Sequence, residues 1–289
     1  MGTDGFADLP AGARRIAKAW RGLIVEYAWL PPFQGTAPTR PNRLEVVFSG
    51  HSSVRLRHGD AFHDVTVVPG AMYVVGPEPT VLLDVREYSD TLEIYPDLSL
   101  LRSAAEEASI RDFALEPTLR GQARVTFLRD PAMLGIAHVL RRACVNRLTL
   151  SDIEASELTH LIGQRVLLMQ YGVRRKSPWR GLHDRTLRAV ADLVEDRLTD
   201  RLTLDDLAAQ ARMSPFHFAR CFKRATGLAP HQYVLARRIE LAKRLLLTTT
   251  RAVQDIAWSV GFENVSHFRR KFRDQIGIHP GALRRATRP

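Results

Sequence analysis

Short apolar runs separated by turn residues fill the first third of the chain. Five segments rich in Val, Leu and aromatic side chains cover residues 21–30, 43–50, 53–60, 64–76 and 80–88. Gly and Pro residues divide them at intervals of about ten residues, a spacing typical of antiparallel sandwiches and barrels. The pattern predicts a β-rich N-terminal unit between about Trp20 and Leu98.

The hydrophobic period changes at Pro131. From there to Met169, apolar residues recur every three or four positions, which predicts two consecutive amphipathic helices. This helical pair, within residues 131–171, either covers the predicted sheet or forms a dimer seam with a second copy of the chain. Residues 172–183 mix Gly, Pro and charged side chains, and they predict a linker to a helical C-terminal third.

The helical C-terminal third contains an internal repeat. Residues 203–230 align with residues 252–280, and four identical positions recur at an offset of 50 residues. They are Phe218, Phe222, Gly227 and Pro230 in the first copy, and Phe268, Phe272, Gly277 and Pro280 in the second. Each copy predicts a short helix, a tight turn and a second helix with its phenylalanines in the core. This is the helix-turn-helix plan, in which the second helix enters a DNA major groove, and it places the two motifs at 203–227 and 252–277.

Local signals at the helix ends agree with that plan. Thr203, with an acidic residue three positions later, predicts a capping box at the start of the first helix. Ser214 and the proline after it predict the start of the second helix, and Gly227 predicts its left-handed end. In the second copy Gly261 marks the turn and Asn264 the N-cap.

One long helix is predicted between the two motifs. Residues 230–248 would form a helix of about 28 Å at a rise of 1.5 Å per residue. The second helices of the motifs would then lie near 34 Å apart, about one turn of B-DNA. One chain would therefore read two successive major grooves.

Charge is distributed unevenly along the chain. It holds 42 Lys and Arg against 31 Asp and Glu, a formal net charge of +11. Residues 184–289 account for +9 of this excess and residues 1–183 for +2. A basic segment beside a nearly neutral one indicates a polyanion-binding module attached to a unit with another task.

Several other classes of protein are not indicated. No apolar run approaches the roughly 18 residues of a membrane span, and the N-terminus lacks the apolar core of a signal peptide, which predicts a cytoplasmic protein. Cys144 and Cys221 are too few for a disulfide scaffold or a four-ligand zinc site, and we expect packed thiols. The sequence has no Gly-rich phosphate loop and no nucleophile motif, so no catalytic residue and no enzymatic activity are expected.

Residues from about 185 to 286 resemble the DNA-binding domain of the AraC/XylS family of bacterial transcription regulators. The matching segments are SPFHFARCFKRATG, YVLARRIELAKRLLL, DIAWSVGF and SHFRRKFRDQIGIHPGALR. The N-terminal two thirds are similar, more loosely, to the cupin-like sensor half of many such regulators. Pro69-Gly70, the segment EYSDTLEIYPD at 87–97 and the helical pair carry this second resemblance.

The first resemblance implies a set of DNA contacts. Base-edge contacts would come from Phe216, Ala219, Arg220, Val265, Ser266, Arg269 and Arg270. On the same outer faces, Lys223, Arg224 and Arg273 are either phosphate contacts, which carry no base information, or solvated charges. Three of the base-contact candidates, Ala219, Val265 and Ser266, are small, which favours apolar contact with thymine methyl groups. Phe216 lies on the outer face of its helix, where it either contacts DNA or packs against the protein.

The second resemblance implies a sensor for a small organic effector. Strand aromatics that would line its pocket are Tyr27, Trp29, Phe48 and Tyr73, although aromatic side chains in strands more often belong simply to the core. Cupin enzymes hold a metal with a His-x-His pair, which His51, His58 and His63 do not form. No metal and no cofactor are therefore expected.

Together these observations predict an α+β protein of two domains. Residues 1–171 form a β-barrel or cupin-like unit for effector sensing and dimerisation, 172–183 a linker, and 184–289 an AraC-type all-α domain. The predicted function is sequence-specific DNA binding in transcription regulation, with duplex DNA, a small effector and a second copy of the chain as partners, and RNA polymerase as a further candidate. Two alternatives stay open: a cupin-like enzyme with an accessory nucleic-acid domain, and a DNA-binding protein that needs no ligand.

Overall fold

A computed structural model describes residues 13–48, 51–118, 128–172 and 182–287. The chain divides into two compact units, and each contains segments that are distant in sequence. The first, the sheet unit, comprises Met1–Asp130 and Leu150–Arg175. The second, the helical unit, comprises Pro131–Thr149 and Lys176–Pro289.

Two antiparallel sheets form most of the sheet unit. Their strands are β1 (Arg14–Trp20), β2 (Leu23–Leu30), β3 (Phe33–Pro38), β4 (Arg43–Val47), β5 (His51–His58), β6 (Ala61–Val67), β7 (Ala71–Val75), β8 (Thr80–Val85), β9 (Ser89–Pro96) and β10 (Leu128–Arg129). One sheet has the order β1-β2-β9-β4-β7-β10, and the other has the order β3-β8-β5-β6. Both sheets contribute Val and Leu side chains to a shared apolar core. The predicted segment 64–76 is two strands, because the chain turns at Gly70, whose φ is +79°.

Two helices complete the sheet unit, α1 (Leu98–Glu107) and α3 (Asp152–Tyr171). Ser151 and Glu154 form a capping box at the start of α3. α3 packs against α1 and against β2 and β9. Strands β1 and β3 and helix α1 were not among the predicted segments.

The helical unit is built from helices alone in its described part. They are α2 (Pro131–Cys144), α4 (Asp184–Asp196), α5 (Leu204–Gln210), α6 (Pro215–Thr226), α7 (Pro230–Thr248), α8 (Val253–Ser259), α9 (Val265–Ile276) and α10 (Pro280–Thr287). α7 has the predicted bounds, and the other helices of both predicted motifs are confirmed. Among the described helices, none is both long enough and apolar enough to cross a membrane.

The predicted domain boundary is wrong for one helix. The sequence places α2 in the N-terminal domain, yet the helix lies in the helical unit, where it packs against α4, α6 and α9. Twelve of its 14 residues are buried, so its apolar face is already covered within this unit and is not free to form a dimer seam. The chain thus leaves the sheet unit at Asp130, forms α2 and returns at Leu150. Residues 173–181 of the predicted linker lie outside the described residues.

Candidate nucleic-acid interface and buried cavity

The first motif has nearly the predicted geometry. The Thr203 hydroxyl accepts a hydrogen bond from the Asp206 amide, while the Asp206 carboxylate accepts bonds from the Thr203 hydroxyl and amide. These bonds lower the pKa of Asp206 below its ordinary value. α6 begins at Pro215 and is followed by Gly227 at φ +74°. Ser214 occupies the N-cap, but its side chain makes no capping hydrogen bond, which corrects that detail.

One face of α6 is buried in the core and the other is exposed. Phe218 and Phe222 are 0% and 1% exposed and pack against each other, and Phe222 also packs against Tyr233 of α7. On the outer face Phe216 is 79% exposed, and the guanidinium carbon of Arg220 lies 5.8 Å from the centre of its ring. This cation–π contact holds an exposed arginine in a defined place without neutralising it. Ala219 is half-buried beside them, and Lys223 and Arg224 are exposed further along the helix.

The second motif repeats this arrangement. The Asn264 side chain accepts a hydrogen bond from the His267 amide at 2.8 Å and caps α9. Phe268 and Phe272 are fully buried, as are the matching phenylalanines of α6. Gly277 follows α9 at φ +91°.

The outer face of α9 presents most of the predicted contacts. Ser266, Arg269 and Arg270 are exposed, and Val265 is half-buried at the start of the helix. Arg273 is half-buried, with Nη1 3.5 Å from His279 Nε2, whereas Lys223 at the equivalent position of α6 is exposed. Arg273 is therefore less available to a phosphate than the sequence pattern implies.

An arginine of α7 fixes the turn of the second motif. Arg238 donates from Nη1 to the Gly261 carbonyl at 2.7 Å and from Nε to the Leu198 carbonyl at 2.8 Å. Gly261 has φ +83°, and an added Cβ would lie 2.8 Å from the Arg238 guanidinium carbon. Sequence reasoning missed this contact because an arginine on a predicted helix is indistinguishable from a solvated one.

Helix α2 contacts the ends of both second helices. A Cβ on Gly135 would lie 2.3 Å from the backbone carbonyl oxygen of Thr226, the last residue of α6. At the other motif, Val145 lies against Gly277, just after α9. The absence of a side chain at Gly135 therefore allows the close approach of α2 and α6.

Charged side chains are buried where α2 meets α7 and α9. Arg141 is 0% exposed, and its Nη2 lies 2.6 Å from Glu240 Oε1 of α7 and 3.4 Å from Gln275 Oε1 of α9. The Lys243 ammonium is 3.9 Å from the same carboxylate. Burial, together with the nearby Arg141, Arg237 and Lys243, lowers the pKa of His138 well below its usual range, so this imidazole is neutral. Sequence reasoning treated α2 as an apolar helix and missed this network.

The sheet unit contains a cavity between its two sheets. Its free space is about 470 Å³, part of it open to solvent. Most of its lining is apolar: Leu30, Val47, Val54, Leu56, Val65, Val67, Leu82 and Val85. The polar lining residues are Glu45, Tyr73, Ser89 and Thr91.

One wall of the cavity belongs to a buried row of polar side chains. Glu26, Glu93, Glu45 and Tyr73 are successive cross-strand partners on β2, β9, β4 and β7. Glu45 Oε2 accepts hydrogen bonds from Arg43 Nη2 at 2.6 Å and from the Tyr73 hydroxyl. Burial raises the pKa of Glu45, and burial and the Glu45 charge raise that of Tyr73.

Three of the four predicted pocket aromatics do not line this cavity. Tyr73 does, but Tyr27 and Trp29 alternate along β2 with Leu30, which faces the cavity, and so point to the opposite side of the sheet. There the Tyr27 hydroxyl donates to Asp90 at 2.9 Å, and its ring packs on Phe48 at 6.3 Å. Tyr27 and Phe48 are buried core residues, as the alternative interpretation allowed, whereas Trp29 is half-buried.

The thiol prediction is confirmed, since Cys144 and Cys221 are buried and neither forms a disulfide in the described structure. In the described part of the chain, no group of three or more His, Cys, Asp or Glu side chains could hold a metal ion. The side chain of His51 lies outside the described part.

Two helix-turn-helix motifs with basic outer helices in one helical unit define a protein of the double helix-turn-helix class. A family described as a helix-turn-helix domain matches residues 207–286. The chain is 35% identical over 91 residues to the HTH-type transcriptional activator AarP of Providencia stuartii, which covers 32% of this chain and 67% of AarP. The chain belongs to the AraC/XylS family of transcription regulators.

Two further proteins are also similar to this chain. It is 31% identical over 170 residues to the HTH-type transcriptional regulator MtrA of Neisseria gonorrhoeae, covering 55% of this chain and 56% of MtrA. A crystal structure of a transcriptional regulator with an AraC-type DNA-binding domain, from Chromobacterium violaceum, matches 36% of this chain and 95% of its own at 28% identity and a TM-score of 0.34. The chain spans 30–56% of the length of the first curated relatives it matches.

Proposed function

We propose that this chain is a transcription regulator that binds duplex DNA in a sequence-specific manner and responds to a small organic effector. The observation that carries the DNA-binding part is the pair of exposed arginine-bearing faces on α6 and α9, each backed by a fully buried phenylalanine pair. The effector part rests on the cavity of the sheet unit.

Specific contacts divide into two kinds. Arg220, ordered on the Phe216 ring, is placed to make a bidentate contact with a guanine, which discriminates by about 1–3 kcal/mol against other bases. Arg269 and Arg270 have the corresponding role on α9, with the small residues Ala219, Val265 and Ser266 beside thymine methyl groups. Lys223 and Arg224 contact phosphates and contribute affinity without base information.

A pair of alanine variants tests this division. Arg220→Ala should weaken binding to a selected operator by about 1–3 kcal/mol more than binding to a scrambled duplex. Lys223→Ala should weaken binding to both duplexes by the same factor. It should also reduce the slope of log affinity against log salt concentration by the contribution of about one phosphate contact. Titrations of both variants on both duplexes, at several salt concentrations, distinguish a base contact from a phosphate contact. Equal losses of Arg220→Ala on both duplexes would contradict the proposed role of Arg220.

A short path through paired strands and one segment of backbone leads from the cavity to the DNA-binding helices. Tyr73 lines the cavity on β7, and β7 pairs with β10 at Leu128 and Arg129. The next residue, Asp130, is held by Arg165 of α3, with 3.0 Å between Oδ2 and Nε. Pro131 then begins α2, which packs against α6 and α9. We infer that an effector acts by changing the position or order of this short connection.

The effect on DNA binding requires an effector that prefers one conformation, because equal affinity for both would shift nothing. Arg165→Met should leave effector binding in place and reduce the change in operator affinity that the effector produces. Operator titrations with and without effector measure this coupling. Unchanged coupling in Arg165→Met would contradict the route through Asp130.

Dimerisation is a separate part of the proposal, and α3 carries it once α2 is assigned to the helical unit. Ile153 of α3 is 75% exposed, and Leu161 and Leu168, seven residues apart, are half-buried on the same helix. Two copies joined in this way would bind paired half-sites with higher affinity through effective concentration. Sedimentation of the full chain should show a dimer that Leu161→Glu converts to monomer. A dimer of ordinary micromolar affinity would form at tens of micromolar protein. If the unaltered chain is a monomer at that concentration, dimerisation through α3 is contradicted.

A further inference from the structure

We propose that the cavity of the sheet unit takes an amphiphilic organic cation: an apolar body with a protonated amine that binds Glu45. This inference rests on the proposed sensor function and specifies the class of its ligand.

The shape and lining of the cavity select an apolar body with a single polar end. The space between the sheets, about 470 Å³ when it is counted out to open solvent, is a partly open cleft rather than an enclosed chamber. Eight of its twelve lining residues are Val or Leu, contributed by both sheets. The four polar residues, with Glu45 as the one charged side chain among them, all lie on β4, β7 and β9. A ligand therefore meets apolar surface on most sides and a carboxylate on one.

Next to the cavity, the carboxylates Glu45 and Glu93 outnumber the cation between them. Glu45 and Glu93 share a single guanidinium, that of Arg43, whose Nη2 lies 2.6 Å from Glu45 and whose Nε lies 3.6 Å from Glu93. These three fully or nearly fully buried side chains carry a formal charge of −1. Glu26, the next carboxylate in the row, is paired separately with two arginines of the strand edge and loop.

The geometry of Glu45 leaves one oxygen for a ligand. In the described structure both hydrogen bonds to this carboxylate, from Arg43 and Tyr73, fall on Oε2. Oε1 is thus the acceptor that a ligand in the cavity can use. Because Glu45 is only 5% exposed, the desolvation cost of a cation that binds there is mainly its own. An anion would meet the same carboxylate at close range and be repelled.

Three probes with the same alkyl chain and different head groups test the ligand class: n-heptylammonium, 1-heptanol and heptanoate. Calorimetry on the full chain should show heptylammonium binding at least about tenfold more tightly than heptanol, and heptanoate binding most weakly. Glu45→Gln should lower heptylammonium affinity to that of heptanol and leave heptanol binding unchanged. Glu87→Gln, which removes an exposed carboxylate outside the cavity, is the matched control and should retain the preference.

The experiments test the location of the site, the class of its ligand and the sensor function separately. Leu82→Phe should weaken all three probes by filling the cavity, which locates the site even if Glu45→Gln does not fold. Equal or reversed ranking of the head groups in the unaltered chain, or no binding of heptylammonium, overturns the proposed class. Preferential binding of heptylammonium without any change in operator affinity would support the ligand class and contradict the sensor function.

Discussion

Because α2 approaches α6 closely, the variant Gly135→Ala tests directly whether α2 packs within the helical unit. The new methyl carbon would lie 2.3 Å from the Thr226 carbonyl oxygen, about 1 Å short of ordinary van der Waals contact, which begins near 3.4 Å. Because the obstacle is backbone rather than the end of a flexible side chain, α2 or the end of α6 must move.

The size of the effect follows from two opposing contributions. Alanine in place of glycine within a helix stabilises it by about 1 kcal/mol, whereas overpacking of a tight core costs about 1–3 kcal/mol and occasionally more. For a clash with backbone we expect the second to dominate and the free energy of unfolding to fall by about 1–3 kcal/mol. With a urea m-value near 2 kcal/mol per M, the midpoint of unfolding would fall by about 0.5–1.5 M.

Gly163→Ala is the matched control, since Gly163 is a buried glycine in the middle of α3. Its added Cβ would lie 3.1 Å from Leu101 Cδ2, a methyl group that can shift by a few tenths of an ångström. This variant should be as stable as the unaltered chain or slightly more stable. Urea unfolding followed by far-UV circular dichroism, with operator binding as a second readout, compares the two variants. If Gly135→Ala unfolds at the same midpoint as the unaltered chain, the packing of α2 on α6 is wrong.

Three further variants test the packing and electrostatics of the helical unit. Phe222→Ala, at a fully buried site, should destabilise the unit by about 3–5 kcal/mol in urea unfolding, and a loss below 1 kcal/mol would contradict its place in the core. Glu240→Gln should cost about 3–5 kcal/mol, because the buried Arg141 and Lys243 lose their shared carboxylate; an unchanged midpoint would contradict that pairing. The Asp206 pKa is lowered in the folded state, so its carboxylate stabilises the fold above the ordinary Asp pKa of about 3.9, and this stabilisation is lost as the pH falls through the folded pKa. The stability difference between the unaltered chain and Asp206→Asn should therefore shrink in unfolding experiments below about pH 4. A stability difference that grows below about pH 4 would contradict a lowered pKa of Asp206.

Features that depend on local sequence could be predicted well. The bounds of α7 and the positions of Thr203, Asn264 and Gly227 at helix ends follow from capping and glycine conformation, which act within a few residues. The internal repeat also placed the buried phenylalanines correctly, because two copies must bury the same face.

Features that depend on distant partners could not be predicted. The apolar pattern of α2 shows that the helix is buried but not which unit buries it. In a strand, alternation separates two faces without showing which one borders a cavity, so the sequence does not reveal that Tyr27 and Trp29 lie on the face of β2 opposite to Leu30. Glu45 was overlooked because a carboxylate in a strand is usually exposed, and only its cross-strand neighbours reveal that it is buried.

Hydroxyl-radical footprinting of the full chain on an operator selected from random duplexes tests the central claim most directly. We expect two protected segments per chain, about 10 bp apart on one side of the duplex, as two recognition helices in successive major grooves require. Arg220→Ala should weaken protection at one segment and Arg270→Ala at the other. Protection of a single groove per chain, or the same affinity for selected and scrambled DNA, would contradict the account.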